Sequence, residues 1–232
     1  MTAAEAFAGL TTAHVADACV RADVPVRCGP AGTRSVTSGG RVAGRVLPAR
    51  HVGSVDVFLE AFEQAEPGDV LVVDNGGRLD EACVGDLVVL ETKAAGLAGV
   101  VIWGLHRDTA DIRAIGLPVF SLGSIPTGPL GVTERPPEAL TSARVGEWTV
   151  TSDDTVFADD DGVLFVPSGR VDELAALARG IRDTERGQAE RVRAGEPLRD
   201  QLAFADFLKA RREDPSLTFR RHLRGLGGAI EE

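Results

Sequence analysis

Two short apolar runs constrain this chain more than anything else in it: Val70-Leu-Val-Val73 and Val100-Val-Ile-Trp103. Neither alternates with polar residues, so each suits a strand buried on both faces. Between them lie a turn at Asp74-Asn-Gly-Gly77, a segment 79–84 that reads as a helical turn or two, an interruption at Gly85-Asp86, and a helix over 87–95 that ends at Gly96. Strand, helix and strand within about 35 residues make a βαβ unit, whose crossover implies a parallel pair. A short helix to about Ile115 and a strand at 118–122 follow, so the centre of the chain reads as an α/β layer structure.

The flanks are organised around that unit. Residues 3–21 space their apolar side chains helically, as one or two short helices, and 22–45 is a Gly-, Pro- and Arg-rich stretch leading into a strand at 41–47. In 54–65, Val55, Phe58, Leu59 and Phe62 share one helical face. After a Pro- and Gly-rich loop from 123 to 143, short strands are expected at 146–153, 155–158 and 162–166, with Asp159-Asp160-Asp161-Gly162 as a solvated hairpin turn rather than a metal cluster. Ser168 is the expected N-cap of a long helix over 171–193, which Gly195-Glu-Pro197 stops. A helix at 198–212 and a basic arm with a glycine-rich end complete the chain. The expected division is an α/β domain at 1–169 and a C-terminal helical extension at 170–232.

Charge and cysteine content exclude several classes. The net charge of −10 argues against binding nucleic acid by neutralising phosphates. Residues 1–169 carry 12 Lys+Arg and 23 Asp+Glu, or −11; residues 170–232 carry 13 and 12, or +1, a mixture typical of solvated helices. The first residues have no basic region and carry Glu5 and Asp17, unlike a signal peptide, and the longest uncharged, mostly apolar stretch, 94–105, is too short to span a membrane. Cys19, Cys28 and Cys83 form no C-x-x-C pair, which suggests neither a disulfide framework nor a cysteine zinc site and points to a cytoplasmic setting.

The candidate chemistry lies after the two apolar strands, where open α/β sheets bind ligands. Gly85 and Asp86 open the helix at 87–95, whose free N–H groups and dipole suit a carboxylate or phosphate. His106-Arg107-Asp108 follows the second strand. An arginine clamps a carboxylate or enolate oxygen through parallel N–H bonds. An aspartate holds Mg²⁺ or Mn²⁺ by one oxygen, and a second one positions a water for proton transfer. Plainer readings stand beside these. Asp86 could be only an N-cap, Arg107 and Asp108 only a surface pair with Asp108 capping the next helix, and His106 a structural residue or an additional acid or base. His14, His51 and His222 show no ligand spacing, Cys83 reads as a packing residue, and Lys93 lacks the desolvated setting of a Schiff-base lysine. Glycine-rich nucleotide loops, H-E-x-x-H and G-x-S-x-G do not occur.

Asp86, 20 intervening residues and then Arg107-Asp108 give a D-x20-R-D pattern. It stands among PGDVLVVDNGG (67–77), ACVGDL (82–87), AGLAGVVIWGLHRD (95–108), GLPVFSLG (116–123) and ADDDGVLFVP (158–167). This ordered series, covering roughly residues 10–170, resembles the class II 4-hydroxy-4-methyl-2-oxoglutarate / 4-carboxy-4-hydroxy-2-oxoadipate aldolases and their RraA-like relatives. The resemblance implies an α/β fold of the swivelling β/β/α type, in trimers or hexamers with sites at subunit interfaces. It implies Asp108 as ligand of a divalent metal (Mg²⁺ or Mn²⁺), Arg107 as substrate-binding and enolate-stabilising group, and Asp86 as holder of the water that moves protons. Backbone amides at Gly85, Leu87 and Val88 would hold the carboxylate of a small 2-oxo acid. Retro-aldol cleavage and oxaloacetate decarboxylation, both through a pyruvate enolate, are the implied reactions. A neighbouring chain's glutamate would reach the site, with Glu185, Glu190 and Glu196 as candidates. The RraA branch implies an alternative, a non-catalytic regulator that binds a ribonuclease.

Overall fold

The computed structural model describes residues 2–226. Helices α1 (Ala3–Ala6) and α2 (Thr12–Arg21) each start on a threonine that exchanges hydrogen bonds with the third residue of its helix. The two-residue strands β1 (Arg27–Cys28) and β2 (Arg34–Ser35) precede the long β3 (Val42–Arg50). Next come α3 (Asp56–Phe62), β4 (Val70–Asp74), β5 (Ala82–Val84), α4 (Asp86–Ala94), β6 (Gly99–Trp103), β7 (Leu105–His106), α5 (Thr109–Ile115) and β8 (Val119–Ser121). The hairpin β9 (Ala143–Val145) and β10 (Trp148–Val150) is followed by β11 (Asp154–Asp159) and β12 (Gly162–Pro167). The chain ends in α6 (Val171–Arg193), α7 (Leu198–Gln201), α8 (Phe204–Glu213) and α9 (Phe219–Leu223).

Eight strands form one sheet in the order β1-β12-β11-β3-β4-β6-β8-β2, with β3, β4, β6 and β8 mutually parallel. Strand β3 joins the two halves. Its residues 42–45 pair antiparallel with β11, and residues 46–50 pair parallel with β4. Pro48 therefore sits in a central strand, a position normally closed to proline. Arg50, two residues on, donates its N–H to Ala139 O rather than to β4, so the Pro48 nitrogen faces the side that β11 has already left. No ladder bond is lost. At the crossover, a Cβ on Gly44 would lie 2.2 Å from the Gly68 carbonyl oxygen, so this close backbone approach requires glycine.

The sheet curls around an apolar centre. Val46, Val70, Val72, Val101, Phe120, Val156 and Phe165 point into it, and Val145 and Val150 of the β9–β10 hairpin close it. The alternate residues Leu71, Val73, Val100 and Ile102 face outward onto α3, α4 and α5, packing with Phe58, Val89 and Ile112. Both faces of β4 and β6 are thus buried, as their unbroken apolar runs require. Behind β11 and β12, Phe157, Leu164 and Val166 pack with α1, α2 and the Leu174, Ala175, Ala178 and Ile181 face of α6. Helices α8 and α9 gather Phe204, Phe207, Phe219 and His222 into their own aromatic cluster.

Several expected elements differ. Residues 82–84 form strand β5, not a helical turn: they pair parallel with β7, Ala82 opposite Leu105 and Val84 opposite His106. The strand expected from 146 begins two residues later, because Gly146 takes φ +64° in the β9–β10 turn. Ser168 does not cap α6. It opens a 3-10 turn and its hydroxyl meets that of Thr155 at 2.9 Å, while Arg170 stands at the cap position. The helix expected over 198–212 is two helices, broken at Ala203 with φ +46°. The acidic turn at 159–162 is a hairpin turn, with Asp159 buried and accepting from both the N–H and hydroxyl of Thr12. The glycine-rich end, 227–232, lies outside the described residues. Among those described, no helix is long and apolar enough to cross a membrane.

Candidate active site

Strand β5 is the piece that assembles the site. Pairing it with β7 places Gly85-Asp86, at the start of α4, beside Arg107-Asp108, at the start of α5. Arg107 N donates to Val84 O at 2.9 Å, fixing the two segments together. Gly85 is the N-cap of α4, so Asp86 is the first helical residue and makes no cap bond. Asp108 stands at the N-cap position of α5 but likewise makes no cap bond. It adopts φ +58°, ψ +41°, a left-handed conformation that costs a non-glycine residue about 1–2 kcal/mol. That backbone turns its carboxylate away from its own helix and toward Gly85: a Cβ there would lie 2.5 Å from Asp108 Oδ2 and 3.3 Å from Arg107 Nε. The plainer capping readings of both aspartates therefore fail.

Arg107 Nε and Asp108 Oδ2 are 3.4 Å apart, with the two side chains 49% and 37% exposed, so both remain open to a ligand. Gly85, Asp86, Leu87, Val88 and Arg107 line one cleft of about 610 Å³. The rest of its wall is largely apolar, including Val55, Leu59, Leu90 and Pro129. The free N–H groups at the start of α4 open into this cleft, and they and the helix dipole favour an anion. Loop residue Gly128 packs over the guanidinium, where a Cβ would come within 2.9 Å of Arg107 Nη1.

His106 does not line the cleft. It is buried, with Nδ1 2.7 Å from Ser121 Oγ and Nε2 2.9 Å from Thr109 Oγ1. Burial pushes its pKa down, partly countered by a backbone hydrogen bond with Gly123. With both nitrogens engaged it anchors the turn that carries Arg107 and Asp108. Cys83 is buried in β5 and points its thiol at Leu105 O, 3.7 Å away, and burial raises its pKa. Lys93 donates to Ile115 O from the surface. Glu185 pairs with His14 at 3.2 Å, and Glu196 stands 3.9 Å from Arg191. Neither they nor Glu190 lines the cleft within this chain.

The donor set limits which metal the site can hold. Among the described residues no group of three His, Cys, Asp or Glu side chains converges. A zinc site enclosed by protein ligands is thereby unsupported. Asp108, offering one carboxylate over a glycine-lined gap, fits a hard cation such as Mg²⁺ or Mn²⁺ that keeps waters and substrate oxygens as its other ligands.

A polar cavity at the ends of β3 and β4 is lined by His51, Asn75 and Glu81, none of which the sequence marks by ligand spacing. The same strand-end rule that found Gly85 and Arg107, applied to the two residues after β3 and β4, would have found it.

Fold and site together define an α/β protein with a curled, partly parallel sheet and an Arg-Asp pair facing the start of a helix. The sequence profile of the RraA-like family (Aldolase/RraA) matches residues 12–165, and the chain belongs to that family. Protein DlpA of Legionella pneumophila is 30% identical over 145 residues, 62% of this chain and 22% of that protein. A Halalkalibacterium halodurans protein named "Putative 4-hydroxy-4-methyl-2-oxoglutarate aldolase" is 31% identical over 156 residues, 65% of this chain and 64% of its own length. The chain thus spans less than two thirds of either relative. The crystal structure of Streptomyces coelicolor RraAS2, described as an unusual member of the RNase ES inhibitor RraA protein family, superposes with a TM-score of 0.69 at 26% identity, over 78% of this chain and 92% of that one.

Proposed function

We propose that this protein is a divalent-metal-dependent lyase acting on a small 2-oxo acid, by retro-aldol cleavage of a 4-hydroxy-2-oxo diacid, by oxaloacetate decarboxylation, or both. One observation carries the reading: Asp108, bent out of its own helix cap, and Arg107 meet the open start of α4 across Gly85. The aldolase-named relative supports the same class.

In this reading the amides at Gly85, Leu87 and Val88 take the substrate carboxylate, and Arg107 binds it and the adjacent oxygen that becomes negative. Asp108 holds the cation, which when bound polarises the 2-keto group as a Lewis acid. The C3–C4 bond breaks, releasing carbon dioxide or a carbonyl product, and its electron pair passes into the pyruvate enolate. Arg107 neutralises the enolate oxygen. Asp86 holds the water that takes the C4-hydroxyl proton in the retro-aldol direction and returns a proton to C3. The apolar wall of the cleft keeps bulk water from the enolate. Partners in this reading are the small substrate and further copies of the chain, as a trimer or hexamer.

The test is pyruvate release from oxaloacetate and from a 4-hydroxy-2-oxo diacid, with and without Mg²⁺ or Mn²⁺. Wild-type rates above those of Asp108→Ala support the reading, and equal rates reject it. The likeness to RraAS2 favours a second reading, a protein-binding regulator of a ribonuclease. Capture of a ribonuclease by a protein without Arg107-dependent turnover would support it instead.

A further inference from the structure

Arg107 is the one basic side chain among the described residues that line the cleft, and its charged neighbour holds it loosely. The guanidinium is half-exposed, and Asp108 Oδ2 stands 3.4 Å from its Nε. A long side chain in that setting has several rotamers open to it, and ordering it on a ligand costs affinity. What confines it is a loop. The backbone of Gly128 lies so near that a Cβ there would come within 2.9 Å of Arg107 Nη1, and the adjacent Pro129 lines the same cleft.

That loop is tied down on both sides of Gly128 and Pro129, each time by the start of β5. Ala82 N donates to Thr127 O at 2.9 Å, and Leu130 N donates to Glu81 Oε2 at 2.8 Å. At the other end of the same strand, Val84 O accepts from Arg107 N. Residues 81–84 therefore hold both the backbone of Arg107 and the loop over its side chain. The loop, Ile125-Pro-Thr-Gly-Pro-Leu130, carries two prolines, so it has fewer conformations to lose when it is fixed.

Glu81 is almost wholly buried. A carboxylate out of water is costly unless its oxygens have partners. Oε1 faces Arg78 Nη1 at 2.7 Å, and Arg78 is itself held by two bonds to Asp80. Oε2 has the Leu130 N–H. Lifting the loop would strip that donor from a charged oxygen inside the protein, so a carboxylate resists lifting more than a neutral acceptor would.

We propose that Glu81 is a positioning residue of the cleft: through the Leu130 N–H it holds residues 127–130 against Arg107 and so sets the direction of the guanidinium. The positioning stands without the lyase reading; only its effect on turnover rests on that reading.

The test uses the full chain, ¹⁵N-labelled, as wild type, Glu81→Gln and Glu81→Leu. Glutamine keeps an acceptor for Leu130 N–H and leucine removes it at similar volume, while the half-exposed Arg78 can turn to solvent. Two signals are read: hydrogen exchange of the Leu130 N–H, and the Nε–Hε resonance of Arg107, assigned by its loss in Arg107→Lys. In Glu81→Leu the exchange should quicken at least about tenfold, and the Arg107 resonance should move toward that of a free arginine. Glu81→Gln should lie between leucine and wild type in both. In pyruvate release, Glu81→Leu should lower kcat more than it raises KM, and the loss should shrink below about twofold in the Arg107→Lys background, because the glutamate acts through the arginine. An equal loss in both backgrounds, as from a glutamate that only supports the fold, overturns the proposal. So does an unchanged Leu130 exchange rate, or faster exchange with the Arg107 resonance unmoved. If thermal melting shows Glu81→Leu unfolded, Glu81→Gln decides by the same two signals. A wild type that releases no pyruvate rejects the lyase reading alone, since exchange and resonance still decide the role of Glu81.

Discussion

Replacing Gly85 with alanine tests the site at the scale of one methyl group. The backbone there, φ −125° and ψ −171°, suits any residue, so the substitution adds no backbone strain. Its consequence is a carbon 2.5 Å from Asp108 Oδ2, which must move, and 3.3 Å from Arg107 Nε, which must give slightly. A displacement of that order costs on the order of 10² in rate, so pyruvate release should fall about a hundredfold while the melting temperature stays close to wild type. Asp108→Asn should abolish the response to added Mg²⁺ or Mn²⁺ without unfolding the protein, as read by metal titration of the rate. The D-x20-R-D pattern carried the resemblance that groups these residues, and in the structure Asp86 and Arg107 line one cleft while Gly85 lies against Asp108. The sequence could not show that Asp108 would abandon its cap position, since that depends on a left-handed backbone and on a glycine 23 positions away. Nor could it show both His106 nitrogens engaged, since Ser121 reaches the ring only once β8 lies beside β6.

Among the elements, the turn between β7 and α5 should carry a pH signature. Burial lowers the pKa of both His106 and His51, so each is neutral in the folded protein and gains a proton more readily when unfolded. Stability is then fully present above the unfolded value of about 6.5 and falls as the pH drops below it. Melting temperature plotted against pH should decline below that point, with a shallower slope for His106→Gln. In α6, Ile181 is wholly buried against α1, α2 and the β11–β12 hairpin. Ile181→Ala should cost about 2–5 kcal/mol, measured by denaturant unfolding. The elements legible in the sequence were those whose signal is local: the apolar runs of β4 and β6, and α6, whose bounds of 171 and 193 matched. Strand β5 was not, because Ala82-Cys-Val84 has no alternation of its own and is a strand only by virtue of β7, more than twenty residues on. The helix expected at 198–212 failed at Ala203, where no glycine or proline announces the break.

At the scale of the molecule, the last three helices join the rest at the end of α6, where Gln201 bonds to Gln188 and Arg191. Leu202, Phe207 and Leu223 are buried, yet they belong to none of the three apolar clusters of the body. Ending the chain after Ala194 should therefore leave the melting temperature of the remainder within about 2 °C of the full chain, by calorimetry. The α/β class and the parallel centre were readable from the order of apolar runs and turns. The curl was not, because it follows from β3 changing partners at residue 46, and nothing in Val42-Ala-Gly-Arg-Val-Leu-Pro-Ala-Arg50 marks that exchange except Gly44, which the close approach needs, and Pro48, which the exchange permits. This common strand also restricts how the protein can be recombined. Both of its partners, β4 and β11, follow it in the chain, so a hybrid of two relatives spliced after residue 50 sets all of β3 from one parent against two strands from the other. Crossovers placed before 42 keep β3 with both partners and should express as soluble, folded chimeras, and those placed just after 50 should aggregate more.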